Sequence, residues 1–210
     1  MKDFVSVVKE RRSANKFVQG IEIPKEDFEE IFSLVKYAPS AFNLQHARYV
    51  VVTDPALKDK VYEAAHRQYK VKTASAAIVV LGDTLAYEEA GQINEGLLNL
   101  GVFSKQEYDM IVESTVAFYR ERGEAFMREE AIRNASLSAM QFMLAAKAKG
   151  WDTCPMIGFD PQALRDVLQI PERYVPVLLI AMGREDVSSQ RPRGYRKPVG
   201  EFVSYNGVGF

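Results

Sequence analysis

Two short basic runs at opposite ends of the chain, Arg11-Arg12-Ser13 and Arg193-Gly194-Tyr195-Arg196-Lys197, carry residue types that bind phosphate. Guanidinium groups hold phosphate oxygens through paired, charge-assisted hydrogen bonds, so the two runs could converge on one anion. Taken singly, each also fits a solvated surface. A third segment offers Ser40, Asn43 and Gln45 as donors and acceptors in one short loop. That suits the edge of a heterocycle, or a turn that bonds its own backbone. A fourth, Pro155-Met156-Ile157-Gly158, reads as part of a helix-to-strand turn that can present backbone N–H groups to a flat ligand.

Several common chemistries are missing. No GxGxxG follows a strand, and GxxxxGK[ST], HExxH and GxSxG are absent. His46 and His66 lack the close spacing of a metal pair, so no metal ligand is assigned. Cys154 is the single cysteine, which excludes an intrachain disulfide and reads as a small buried hydrophobe. No side chain stands out as an acid, base or nucleophile, so if the chain is an enzyme a cofactor carries the reaction. Lys+Arg 27 against Asp+Glu 28 gives a net charge of −1, with no global field to attract nucleic acid or an anionic membrane. The charged N-terminus does not read as a signal peptide, and no apolar run reaches roughly 18 residues. The expectation is a soluble, cytoplasmic protein.

The elements that must position these groups are legible in outline. Residues 134–150 favour helix, carry no charge between 135 and 146, and end at Gly150. With no polar face, that helix is expected to be buried on nearly every side, centrally or between two subunits. Asp3 can cap a first helix ending near Arg11, and Pro24 opens a second that stops before Pro39. Residues 49–53, 76–82 and 174–183 read as buried strands, 55–68 and 161–168 as helices, and 201–205 as an edge strand. Residues 87–128 read as a mostly helical excursion. Buried strands separated by helices give an α/β or α+β sheet in a single domain spanning 1–210.

Taken in order, Arg-Arg-Ser-x-x-x-Phe, Ala-Pro-Ser-x-x-Asn-x-Gln, a strand ending Leu-Gly-Asp, Asn-Ala-Ser-Leu-Ser-Ala-Met-Gln, Gly-x-Asp-Thr-Cys-Pro-x-x-Gly-Phe and Arg-Lys-Pro span nearly the whole chain. The pattern resembles the nitroreductase family of FMN-dependent oxidoreductases and misses only about 87–128. The resemblance implies an α+β fold with a mostly antiparallel central sheet flanked by helices, in an intertwined homodimer with flavin at the interface. It assigns Arg11, Arg12, Ser13 and Asn15 to the FMN phosphate, ribityl chain and pyrimidine edge, and Ser40, Asn43 and Gln45, from the partner subunit, to the ring and ribityl side. Lys70, with Gln68 beside it, falls near flavin N1 and O2. Pro155, Met156, Ile157 and Gly158 lie along the ring near N5, and Arg196, with Arg193 as companion, contacts the phosphate. The implied activity is transfer of two electrons from NADH or NADPH to nitroaromatic or quinone acceptors, without a catalytic side chain. Flavin-dependent dehalogenation or flavin fragmentation, and a non-catalytic dimeric flavin-binding protein, are the alternatives. The chain departs from the pattern at Asn15, where Arg or Lys is frequent, at His46-Ala47, where Pro-Trp is frequent, and at Ile157, where several members carry an acid.

Overall fold

Eight consecutive residues, Ala76–Asp83, are all buried, as an apolar run covered on both faces demands. A computed structural model describing residues 3–209 shows why. In chain order the main elements are α1 (Phe4–Glu10), α2 (Lys25–Val35), β1 (Ala47–Val52), α3 (Pro55–Ala64), α4 (Tyr69–Thr73) and β2 (Ala76–Asp83). Then come α5 (Ala90–Asn99), α6 (Lys105–Ala148), β3 (Asp152–Met156), α7 (Pro161–Leu168) and β4 (Tyr174–Gly183). The strands form one sheet in the order β1-β2-β4-β3, antiparallel at every pairing. This is the α+β architecture the resemblance implies.

Side-chain alternation divides the core between the two faces of that sheet. Ala77, Val79 and Leu81 of β2, with Leu179 and Ala181 of β4 and Cys154 and Met156 of β3, pack against α3, α4 and α7. Ala76, Ile78 and Val80, with Ile180 and Met182, face α2 and the C-terminal part of α6. Gly82 lets α6 approach: a Cβ there would lie 2.7 Å from the Ala131 carbonyl oxygen. In β4 the register shifts opposite Val80 and Leu81, next to Pro176, which has no N–H to give to a ladder.

Local chemistry sets the helix ends. The Asp3, Asp54 and Asp160 carboxylates accept from Ser6 N, Leu57 N, and Gln162 N and Ala163 N. At the other end of α6, Gly150 has φ +88°, with Gly150 N–H bonded to Lys147 O and Trp151 N–H to Ala146 O, a Schellman closure.

Five expectations need correction. The excursion does not end before the central helix: α6 runs from a Ser104/Glu107 capping box to Ala148, broken only at Gly123 (φ 76°, ψ −178°). Within one chain residues 134–150 are not buried centrally: Ala135, Ala139, Phe142 and Ala146 face the sheet, whereas Leu137 (48%) and Met140 (42%) are exposed, which leaves only the two-subunit alternative for that side. The helix read at 55–68 stops at Ala64, because His66 and Arg67 take left-handed φ of 52° and 55° before α4 starts. Pro155 and Met156 belong to strand β3 and not to a turn. Pro155 is tolerated because β3 is an edge strand, whose outer side carries only an isolated bridge at Thr153. Finally, residues 201–205 form no strand; a short 3-10 turn, Val199–Glu201, gives way to exposed coil.

Candidate functional site

After α1, residues 13–18 run along the outer side of β3 and the end of β4. Ser13 bridges Thr153, Ala14 N–H donates to Thr153 O (3.1 Å), and Val18 N–H donates to Arg184 O (2.8 Å). The anchor is Phe17, fully buried, whose N–H donates to Thr73 Oγ1. This path delivers Arg11, Arg12, Ser13 and Asn15 to the β3 edge. The chain leaving β4 returns to the same place. Arg12 donates to Arg191 O, Arg193 to Lys9 O and Arg11 O, and Asn15 Nδ2 to Ser189 O. The two ends of the sequence therefore meet, as the separated basic runs anticipated.

The electrostatics of the meeting point are unfavourable by themselves. Burial, then repulsion from Arg193 and from Arg196, holds the Arg11 guanidinium below its usual pKa. Arg11 Nη1 is buried without a hydrogen-bond partner. Buried donors are nearly always satisfied, and an unpaired guanidinium nitrogen among like charges is chemically suited to an anion. Lys197 lies exposed further along the tail.

A second group adjoins the first through β3. Lys70 Nζ donates to Cys154 Sγ (3.3 Å), and Gln68 Nε2 donates to Gly158 O (2.5 Å). Asp160 N–H donates to Ala64 O, tying the chain after β3 to the end of α3. Of the residues from Pro155 to Gly158, Met156 turns into the core and Ile157 is 81% exposed. Arg11, Ser13, Cys154, Lys70, Gln68 and Gly158 thus line one continuous stretch of the β3 edge.

Ser40, Asn43 and Gln45 do not join that stretch within one chain. They precede β1, at the opposite edge of the sheet, three strand spacings or roughly 14 Å away. Their loop is tied to itself and to α6: Ser40 Oγ accepts from Gln45 N–H, Gln45 Nε2 donates to Asn43 O, and Ala41 N–H donates to Asn134 Oδ1 (2.8 Å). Phe42, Asn43 and Gln45 all have positive φ, between 51° and 56°. A cavity of about 230 Å³ beside it is lined by Ser40, Gln45, His46, Arg48, Asn134 and Ser138 among others.

Sequence reasoning passed over three residues. Asn134 interrupts an apolar helix, which was its signal; it is buried and also donates to Glu130 O. Arg48 is the one charged residue of β1, and its Nη1 donates to Gln45 O (2.6 Å). Cys154 is buried, yet its sulfur accepts from Lys70, which composition alone could not indicate. His46 is buried against Tyr119, its Nε2 3.3 Å from the phenol oxygen. Burial pushes its pKa down to about 4, with Arg48 adding to the shift and Asp83 opposing it. Among the described residues no cluster of His, Cys, Asp or Glu could hold a metal ion, and no helix is long and apolar enough to cross a membrane.

Comparison with known proteins bears on the fold and the family. Residues 8–184 match the model of the nitroreductase family. MhqN of Bacillus subtilis (strain 168), assigned by name to the NAD(P)H nitroreductases, is 58% identical over 205 residues, covering 98% of this chain and all of that one. The crystal structure of ydfN from Bacillus subtilis superposes with TM-score 0.94 at 57% identity, covering 96% of this chain and 98% of that one. A structure from Exiguobacterium sibiricum 255-15, a nitroreductase by name and in complex with FMN, has TM-score 0.90 at 28% identity, with 98% of each chain covered. A family match over most of the length, together with a relative at 58% identity, makes this chain a member of the nitroreductase family.

Proposed function

We propose that the chain is an FMN-dependent oxidoreductase that takes two electrons from NADH or NADPH and passes them to nitroaromatic or quinone acceptors in a ping-pong cycle. The observation that carries the reading is Arg11, half-buried, with its Nη1 buried and unpartnered and with Arg193 and Arg196 crowding it. A dianionic phosphate there would satisfy the donor and offset the repulsion. The FMN-bound relative and the name of MhqN support the same cofactor and donor.

The residues divide into roles by chemistry. Arg11, Ser13, Arg193 and Arg196 hold the phosphate. Arg12 spends one nitrogen on Arg191 O and so also locks the tail onto the site. Asn15 serves the pyrimidine edge. Lys70, with Gln68, places a cation where a reduced ring gathers negative charge, which lowers the cost of reduction. Pro155, Met156, Ile157 and Gly158 border the ring, with Ile157 open to the acceptor. FMN itself supplies the electron-transfer chemistry, and no side chain need act as acid or base.

Ser40, Asn43 and Gln45 lie across the sheet from this patch, so they complete the site from a second copy of the chain. Supporting that arrangement is an apolar face on α6, where Leu137 and Met140 lie beside Phe4 and Leu34. Such a face is unfavourable in water and costs nothing between two copies. Anaerobic titration of FMN-loaded protein with each nicotinamide, then with a quinone, tests the reading. Bleaching by nicotinamide and recovery by quinone are expected. Protein that takes up FMN and is not bleached would instead be a binding protein, and bleaching with halide release or ring loss would place it with the dehalogenating or flavin-fragmenting members.

A further inference from the structure

The loop that carries Ser40, Asn43 and Gln45 has an improbable backbone. Phe42, Asn43 and Gln45 are not glycine, yet all three have left-handed φ. Such a conformation persists only when surrounding contacts over-determine it. Three contacts do so, and two lead into the excursion at 87–128. Asn134 Oδ1 accepts from Ala41 N–H. The Phe42 ring packs on Phe118 and Tyr119, with centroids at 5.1 and 6.1 Å. Arg48 donates through Nη1 to Gln45 O (2.6 Å) and through Nη2 to Glu89 Oε2 (3.0 Å).

The Arg48 contact bears on the site most directly, because it holds Gln45, which the flavin reading assigns to the ring side, and because its other hand holds Glu89 near the start of the excursion. We propose that Arg48 is a positioning residue for the flavin ring: it keeps Gln45 in its left-handed conformation and couples the ring-side loop to the excursion through Glu89. The proposal rests on the flavin reading above. Removing Arg48 leaves no buried charge stranded. Arg173 donates to both Asp83 oxygens (2.9 and 2.6 Å) and to Glu89 Oε1 (3.3 Å). An Arg48 variant should therefore fold.

The test compares flavin-free wild type, Arg48→Met and Arg48→Lys as full chains, titrated with FMN and with riboflavin, and records the absorption spectrum of bound flavin. Arg48→Met should weaken both flavins by the same factor, about tenfold, because one charge-assisted hydrogen bond behind the loop is lost. Its bound-flavin spectrum should shift, and Arg48→Lys should recover part of the loss. Arg196→Ala, which removes a phosphate contact, should weaken FMN alone. If Arg48→Met binds both flavins and gives the spectrum as wild type does, even with a lowered melting temperature, Arg48 only supports the fold and the proposal is overturned. A loss for FMN larger than for riboflavin overturns it too. Wild type that takes up neither flavin overturns this proposal together with the flavin reading, whereas unaltered binding by the variant overturns this proposal alone.

Discussion

The two halves of the candidate site differ in how their polar groups are spent. Along the β3 edge, Arg11 Nη1 is buried without a partner and lies among cations. Before β1, by contrast, Ser40 Oγ, Ala41 N–H and the Gln45 N–H and C=O are all engaged inside the chain. The first half is an electrostatic deficit, while the second is a shape already fixed by its own hydrogen bonds. Affinity for an anion should therefore come from the β3 edge, and discrimination of ring shape from the loop.

Keeping the halves apart should have the largest effect. Met140→Lys puts a charge on the apolar face of α6, where Met140 lies beside Phe4, Leu34 and Leu137. The expected product is aggregate or soluble protein without flavin, checked by sedimentation and absorbance. A yellow, soluble monomer would mean that one chain makes the whole site.

The loop half can be loosened by acid. His46 has a folded-state pKa of about 4 against an ordinary 6.5, so the unfolded chain binds the extra proton first. Its contribution is complete above pH 6.5, falls between pH 6.5 and about 4, and is gone below that. The difference across that window is on the order of 3 kcal/mol at most. Denaturant melts of wild type and His46→Phe should diverge in their pH dependence over this range, the variant being flatter. Parallel curves would show that His46 keeps its proton equilibrium on folding.

Next comes the phosphate end. Arg196→Ala should cost FMN about 1.5–3 kcal/mol, roughly tenfold to a hundredfold, and leave riboflavin unchanged. At saturating FMN the variant should keep kcat, since the lost charge is remote from the reacting ring. Equal losses for both flavins would move Arg196 from the anion to the fold. The smallest effect is expected at Ile157, 81% exposed at the end of β3. Ile157→Glu should raise relative kcat/KM for cationic over neutral quinones by a few-fold, within the worth of an exposed ion pair. An unchanged ratio would show that this side chain does not meet the acceptor.

Much of the β3 half was legible because charge and hydroxyl identity are written in single residues: Arg11, Ser13 and Arg193 do come together. The hydrophobic runs of β2 and β4 announced themselves for the same reason. What failed depended on partners distant in sequence. Pro155 argued against a strand, and only the edge position of β3 makes it acceptable. The alternation at residues 201–205 argued for a strand, but within one chain no edge receives it. The change from charged to apolar composition near residue 134 looked like a boundary between elements, although backbone hydrogen bonding in α6 continues through it. The loop half was the least readable, because left-handed φ at Phe42 and Gln45 is imposed by Arg48, Asn134 and the excursion rather than by glycine.

Gly123 gives α6 a joint. Its φ of 76° and ψ of −178° fall in a region essentially reserved for glycine, and no atom lies within 4 Å of where a Cβ would stand. The barrier to a side chain there is torsional and not steric. Mechanically the helix is two levers meeting at a pivot, so a change of length or composition in residues 105–122 alters the angle at one residue instead of bending the whole rod. The outer lever shapes the surroundings of the loop through Phe118 and Tyr119, while the inner lever is seated on Gly82 through Ala131.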